Sequence, residues 1–305
     1  MNRSKHLISV VIPIFQDGER ALVAARAMLK QSLPPGFNIE VIAVDDGSGD
    51  GTLQILAQCK DERLLVIQLD SNQGRSTARN VGAQRARGEM IVFMDCDCIP
   101  ADDSFLAEHH KTLQSGCVAS TGHVTGIDDD FWSRYQRDAS QRRQYQHAKG
   151  AVCAGSSQNM AVRGSAFEGV GGFDTAFRHY GFEDRDLLLR LADVGNIAWA
   201  AGAVVYHLDS LTLPEVSRKM MQAGGSSARA FARRHPVAYR TLGYAGIDAR
   251  LHPWLRPIGK MSGPFALRLA PHIDPMLKRL PFPLAKILVK STCALVFLYG
   301  TTRDH

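Results

Sequence analysis

Four short, continuous apolar runs alternate with stretches of helical spacing in the first hundred residues, and few folds accept that pattern. "LISVVIPIF", "IEVIAVDD", "RLLVIQLD" and "EMIVFMD" are runs of the buried-strand kind. Between them, "RALVAARAMLKQ", "GSGDGTLQILAQCK" and "STARNVGAQRAR" carry helical spacing, and "LPPG" and Gly88 act as stops. Strand and helix in alternation imply an α/β fold, with a mostly parallel, twisted sheet and helices on both faces. Such sheets bind ligands beyond the carboxyl ends of their strands. Asp45–Asp46 and Asp95–Asp97 fall at those ends, which predicts one acidic cleft. The stretch from His123 to Ala151 reads as charged and irregular, with Arg134, Arg137, Arg142 and Arg143 among aromatics. After Leu213 the alternation gives way to helical and proline-punctuated segments. The expected division is therefore an α/β domain over 1–213 and a basic, mostly helical region over 214–305.

The net charge of +6 is modest, but its basic excess sits in the C-terminal third, where from Ser217 onward Asp248 and Asp274 are the only acidic residues before Asp304. Such a bias fits a nucleic-acid surface, an anionic membrane surface or a solvated face. None of the six cysteines forms a CxxC pair, and their spacing matches neither a zinc knuckle nor a disulfide framework. They read as reduced thiols in a cytosolic setting. The apolar run Leu7–Phe15 contains Pro13 and runs straight into charged residues, so it reads as a first strand rather than a signal peptide. "PLAKILVKSTCALVFLYG" is interrupted by Lys286 and Lys290 and resembles a segment lying on a membrane more than one crossing it.

"GEMIVFMDCDCIP" poses the sharpest chemical choice. If strand alternation persists past Met94, Asp95 and Asp97 share one side and Cys96 and Cys98 the other. Carboxylates suit Mg²⁺ or Mn²⁺, whereas two cysteines without a second pair make a poor zinc site, so the thiols read as packing. In "VDDGSGDGT", Asp45, Asp46 and Asp50 either cap the following helix or accept from a donor on a ligand. In "SNQGRSTARNVGA", Arg75 and the first helical turn can hold a phosphate, and Arg79 taken alone reads as a solvated side chain. "GFEDRDLLLRLADVG" places Glu183 and Asp184 at a helix's N-terminal edge, where they complement the helix dipole or serve as a general base. His207, ending "AVVYH", is either structural or a third ligand for an Asp-x-Asp-bound ion.

Taken together, "SVVIPIFQD", "VDDGSGDGT", "NQGRSTARNVGA", "FMDCD", "GGFD" and "GFEDRDLLLRL" resemble, in order and rough spacing over about residues 7 to 210, the family 2 glycosyltransferases. That resemblance implies a GT-A fold in the 1–213 domain, a nucleotide-sugar donor (by default a UDP-sugar), a Mg²⁺ or Mn²⁺ cofactor and inversion at the anomeric carbon. Carried over by position, Pro13 and Phe15 line the nucleotide site, Asp46 with Asp45 beside it meets the base, and Arg75 lies on the nucleotide side. Asp95 contacts the ribose or the metal, Asp97 is the principal metal ligand, and His207 completes the metal site. Asp184 is the catalytic base and Glu183 its neighbour in the acceptor site. The acceptor is expected to be a hydroxyl of a glycan or lipid-linked substrate, in glycan, polysaccharide or glycolipid synthesis.

Two rival readings fit the sequence less well. A sugar-nucleotide pyrophosphorylase should carry a Gly-rich basic loop after the first strand, where this chain has "PIFQDGER". An inactive nucleotide-sugar-binding scaffold is disfavoured by the joint presence of Asp95, Asp97, Asp184 and His207. No nucleic-acid partner is expected. The C-terminal region is read as peripheral contact with an anionic membrane, placing the protein in the cytoplasm at the inner face of the cell membrane. A helical cap engaged in contact between chains is the alternative.

Overall fold

The fold is described from a computed structural model covering residues 3–303. Eight strands, β1 (Ser4–Ile14), β2 (Asn38–Asp45), β3 (Leu64–Gln68), β4 (Gly88–Phe93), β5 (Cys98–Pro100), β6 (Ala119–Gly126), β7 (Met160–Arg163) and β8 (Ile197–His207), form one sheet in the order β3-β2-β1-β4-β7-β6-β8-β5. The helices are α1 (Gly18–Leu29), α2 (Thr52–Leu56), α3 (Arg75–Arg85), α4 (Phe105–Gln114), α5 (Phe131–Ala148), α6 (Gly164–Gly169), α7 (Glu183–Ala192), α8 (Leu213–Gln222), α9 (Ala228–Arg234), α10 (Pro236–Thr241), α11 (Leu255–Leu277) and α12 (Phe282–Thr302).

The chain divides into two compact units, one of residues 1–128, 136–175 and 187–209, the other of 129–135, 176–186 and 210–305. The second unit is thus not confined to 214–305, because two earlier segments belong to it.

The whole sheet lies in the first unit. Its central strand β1 is buried from Ile8 to Ile14 and pairs in parallel with β2 on one side and β4 on the other. A strand covered on both faces has no reason to alternate, which is why the runs of β1, β2 and β4 are continuously apolar. Ile8, Val10, Ile12 and Ile14 join a core with Ala21, Leu22, Ala25 and Met28 of α1 and Phe105 and Leu106 of α4. Val11, of the opposite parity, meets Gly82 of α3. Helices therefore cover both faces.

The far half of the sheet departs from parallel pairing. β4–β7, β6–β7 and β5–β8 are antiparallel, while β6–β8 is parallel. At its centre His109 of α4 is fully buried, bonded at 2.8 Å to Ser120 and at 2.7 Å to Asn159. Asn159 in turn donates to the carbonyls of His123 and Ala203. Burial without a counter-charge pushes the His109 pKa down to about 4. The stretch from His123 to Ala151, expected to be irregular, holds the end of β6 and the 18-residue helix α5. Charge spread over much of that helix hides its period.

The second unit is helical. Thr212 caps α8, accepting from the Glu215 N–H and donating to its carboxylate at 2.9 Å. Pro264, Pro271 and Pro275 lie inside α11, each removing a helical hydrogen bond. What keeps the helix is its other side. Gly259 and Gly263 admit Leu298, Tyr299 and Thr302 of α12, so the two backbones pack closely. Phe131, Trp132, Leu213, Ala270, Leu277, Ala285 and Val289 form a further apolar cluster.

Candidate active site

The order β2-β1-β4 places a topological switch at the carboxyl end of β1, where open α/β sheets receive ligands. Pro13 is buried at that end and Phe15, just beyond it, is 43% exposed. Register pairs Ile14 with Asp45, so the acidic pair closing β2 stands beside them. The two aspartates differ in employment. Asp46 is tied down, its oxygens each taking a backbone N–H, from Gln73 and Gly74, at 2.8 Å. Burial holds its pKa above the usual carboxylate value despite those bonds. Asp45 accepts from the Ser48 N–H at 3.1 Å, while its other oxygen is buried without a hydrogen-bond partner. Arg75 opens α3 immediately after Gly74, half-buried at the helix's positive end.

The expected alternation through "MDCDC" does not occur. β4 ends at Phe93, and Cys98 begins the separate strand β5, because the chain turns to pair antiparallel with β8. The first aspartate goes one way. Asp95 accepts from Arg79 at 2.6 Å, and Arg79, read alone as a solvated side chain, is instead 1% exposed. Its guanidinium lies 5.2 Å from the centroid of Phe173. That phenylalanine is fixed by Asn80, whose amide donates to the Phe173 carbonyl at 2.8 Å and accepts from its N–H at 2.9 Å. Gly172 has φ +69°, and a Cβ there would stand 2.7 Å from the Asn80 amide oxygen. The "ARN" and "GGFD" stretches are thus two halves of one support for Asp95.

Asp97 goes the other way. Pairing Cys98 with His207 brings the His207 imidazole 3.3 Å from the Asp97 carboxylate, and the Leu208 N–H donates to the Asp97 carbonyl at 2.7 Å. Asp209 joins them, and one ligand atom from each of Asp97, His207 and Asp209 lies within 4.8 Å of the others. Two carboxylates and an imidazole suit Mn²⁺ or Mg²⁺. The other imidazole nitrogen of His207 is buried without a hydrogen-bond partner. Asp95 is outside this group. Asp209 was missed by sequence reading, although its place two residues after His207 at a strand end was the available signal. Arg20 of α1 pairs with Asp209 and, at 2.8 Å, with Asp17, lending positive charge beside these acids.

Cys98 is fully buried and Cys96 packs against the same core. Burial, reinforced by Asp97 and Asp95, pushes both thiols well above their ordinary pKa. They stay protonated and make poor metal ligands.

Glu183 and Asp184 lie in the second unit, as the first two residues of α7, Glu183 buried and Asp184 half-buried. The turn before them is left-handed, at Gly181 (φ +99°) and, unusually, at Phe182 (φ +73°). Phe182 is held by rings, with centroids 4.9 Å from Phe231 and 5.0 Å from Tyr244. Asp186, one turn in and fully buried, meets Arg234 at 2.8 Å and His235 at 2.9 Å. The start of this helix is therefore fixed by aromatic packing and by the part-buried pairing of Arg234 with the buried Asp186.

Residues 9–171 match the family model described as glycosyl transferase family 2, which is more than half of the chain. The chain belongs to glycosyltransferase family 2. Among curated relatives of this family 2 protein, Glycosyltransferase GlyG of Streptococcus pneumoniae is 38% identical over 131 residues, covering 42% of this chain and 42% of the relative. Glycosyltransferase AglE of Haloferax volcanii is 32% identical over 130 residues, covering 42% and 39%. The succinoglycan biosynthesis protein ExoO of Rhizobium meliloti is 34% identical over 90 residues, covering 30% and 25%. The chain spans about half or less of the length of the curated relatives it matches. In fold it is similar to the mannosyltransferase PcManGT from Pyrobaculum calidifontis, solved with GDP-Man and Mn2+, at TM-score 0.60 and 18% identity over 98% of this chain and 86% of that one. It is also similar to S. aureus TarS 1-349 in complex with UDP-GlcNAc, at TM-score 0.54 and 18% identity over 98% and 90%. The fold is that of a GT-A glycosyltransferase, a mixed α/β sheet with a C-terminal helical region.

Proposed function

We propose that the protein is an inverting, metal-dependent glycosyltransferase that moves a sugar from a nucleoside diphosphate donor, with a UDP-sugar as the default, to an acceptor hydroxyl in glycan, polysaccharide or glycolipid synthesis. The observation that carries this reading is the convergence of Asp97, His207 and Asp209 at the strand ends that also hold Asp45 and Asp95. Asp97, His207 and Asp209 would hold a Mn²⁺ or Mg²⁺ ion, which when bound supplies positive charge against the leaving diphosphate. PcManGT with GDP-Man and Mn2+, and TarS with UDP-GlcNAc, support a nucleotide-sugar donor.

Asp45 and Asp46 divide the base contact. Asp46 fixes the loop at residues 73–74, and the open oxygen of Asp45 accepts from the base. Pro13 and Phe15 line the nucleotide, and Arg75 with the first turn of α3 faces its phosphates. Asp95, oriented by Arg79, accepts from a ribose hydroxyl. Asp184 takes the proton from the acceptor hydroxyl as that oxygen attacks the anomeric carbon, with Glu183 positioning the acceptor. A single displacement inverts the centre and needs no enzyme nucleophile. The reaction is placed in the cytoplasm, beside a glycan or lipid-linked acceptor at the inner face of the cell membrane.

The test is a panel of UDP- and GDP-sugars, reading nucleoside diphosphate release with Mn²⁺, with Mg²⁺ and with a chelator. One donor should be turned over with metal only, and Asp184→Asn should lose transfer while still binding that donor. Folded protein that releases nothing across the panel, with and without glycan and lipid-linked acceptors, overturns the proposal and leaves a nucleotide-sugar-binding scaffold.

A further inference from the structure

Sixteen large hydrophobic side chains are exposed among the described residues, and eight of them lie between Trp254 and Leu295. Five of these eight lie on or next to α11: Trp254, Ile258, Met261, Phe265 and Met276. The first four recur at intervals of four, three and four residues, one row on one side of a helix. Their exposure is large, with Met261 at 78%, Trp254 at 68% and Phe265 at 63%. The opposite side of α11, at Gly259, Gly263, Ala266 and Ala270, is the one buried. The row is therefore left over after α11 has packed, and isolated exposed apolar residues do not line up in this way.

The sequence pointed to α12, but that helix commits much of its apolar character inward. Phe282–Thr302 is long and apolar enough to cross a membrane, with mean hydropathy 1.5, yet Ala285, Val289, Val296 and Phe297 are buried within the unit. Its exposed apolar residues are Leu284, Ile287 and Leu295.

Charge selects the occupant. From Trp254 to Arg303 the sequence has eight basic residues and one acidic residue, Asp274, and Asp274 is engaged by the Leu213 N–H at 2.6 Å and by Trp132. By helical spacing Arg268 adjoins the apolar row, and the exposed Lys260 stands about 100° round the helix from Met261, on the same side as Arg268. Two such faces stacked on one another would set like charges together. Phosphate headgroups over acyl chains satisfy both the cations and the row, and a tryptophan at the helix start suits the boundary between them.

We infer that the exposed face of α11, with its Lys260 and Arg268 flank, is a docking surface for an anionic lipid bilayer, which it enters only to interfacial depth. The inference stands apart from the transfer reaction, because donor turnover in solution needs no lipid.

The test is co-sedimentation of the full chain with phosphatidylcholine vesicles, pure or containing about one-third phosphatidylglycerol. Binding is expected to the mixed vesicles, to fall as salt rises, and to be nearly absent on pure phosphatidylcholine. Met261→Ser with Phe265→Ser should weaken it more than about ten-fold, and Lys260→Gln with Arg268→Gln by about ten-fold. Because these side chains are exposed, unchanged circular dichroism and melting should accompany both variants. A full chain that stays in the supernatant, variants that bind as well as the parent, or a solution dimer that the serine variant turns into monomer would each overturn the inference, the last by naming a second copy as the occupant.

Discussion

A single residue separates Asp95 from Asp97, yet one is gripped by a fully buried guanidinium and the other lies beside an imidazole and a second carboxylate. The cause is backbone, not side-chain type. β4 ends before the motif, and Asp95 faces α3, whereas Asp97 is carried toward β8 by the pairing of Cys98 with His207. A pair of equal acids thus becomes a supported hydrogen-bond acceptor and, on the proposed assignment, a candidate metal ligand.

The comparison breaks most sharply at Asp97. Asp97→Ala should lower metal-dependent transfer by more than about a thousand-fold. Asp209→Asn should weaken Mn²⁺ binding, read by paramagnetic resonance or calorimetry, by about ten- to a hundred-fold. Arg79→Leu belongs to the other side of the contrast. It leaves Asp95 without its counter-charge and should cost about 3–5 kcal/mol of stability in urea unfolding. Mn²⁺ affinity should meanwhile stay within about three-fold, since Asp95 lies outside the ligand group. A loss of metal binding in Arg79→Leu with none in Asp209→Asn would reverse the assignment.

A smaller effect separates the core from the site. His109 has an unfolded pKa near 6.5 and a folded value of about 4. Above pH 6.5 both states are neutral there and its stabilising contribution is complete. As pH falls from 6.5 toward 4 the unfolded chain binds a proton that the folded chain refuses, so stability drops, by about 3 kcal/mol in total. Urea unfolding at pH 7.5 and pH 5 should show this slope, and His109→Gln should flatten it. Smallest of all, Cys96→Ser and Cys98→Ser should each change transfer by less than about three-fold and stability by about 1 kcal/mol. Loss of Mn²⁺ binding in either would return the metal to the thiols.

Much of this was legible because continuous burial writes continuous apolar runs. Strands β2, β1 and β4 and the acids at their ends follow from that pattern, whereas the edge strand β3 keeps an apolar run although Leu65 is exposed. The antiparallel strands were harder. β5 has three residues and β7 four, too short to show a period. Arg79 looked like any surface arginine, because nothing local announces that Asn80 will anchor Phe173 across its guanidinium. Asp209 was hidden because the pairing that makes it useful spans more than a hundred residues of chain. In the second unit, the left-handed Phe182 carries no local signal either, since its support comes from Phe231 and Tyr244.

The pairing of β5 with β8 has a further consequence. The family match ends at residue 171, so Asp97 belongs to the shared stretch, while His207 and Asp209 do not. Three backbone rungs join the strand after Asp97, inside the matched stretch, to the strand that ends at His207, beyond it. With the proposed ligand set, exchanges at 207 or 209 would retune which ion is preferred while every residue of the matched stretch stayed in place. On the proposed assignment, ion preference would rest partly on residues outside the matched stretch.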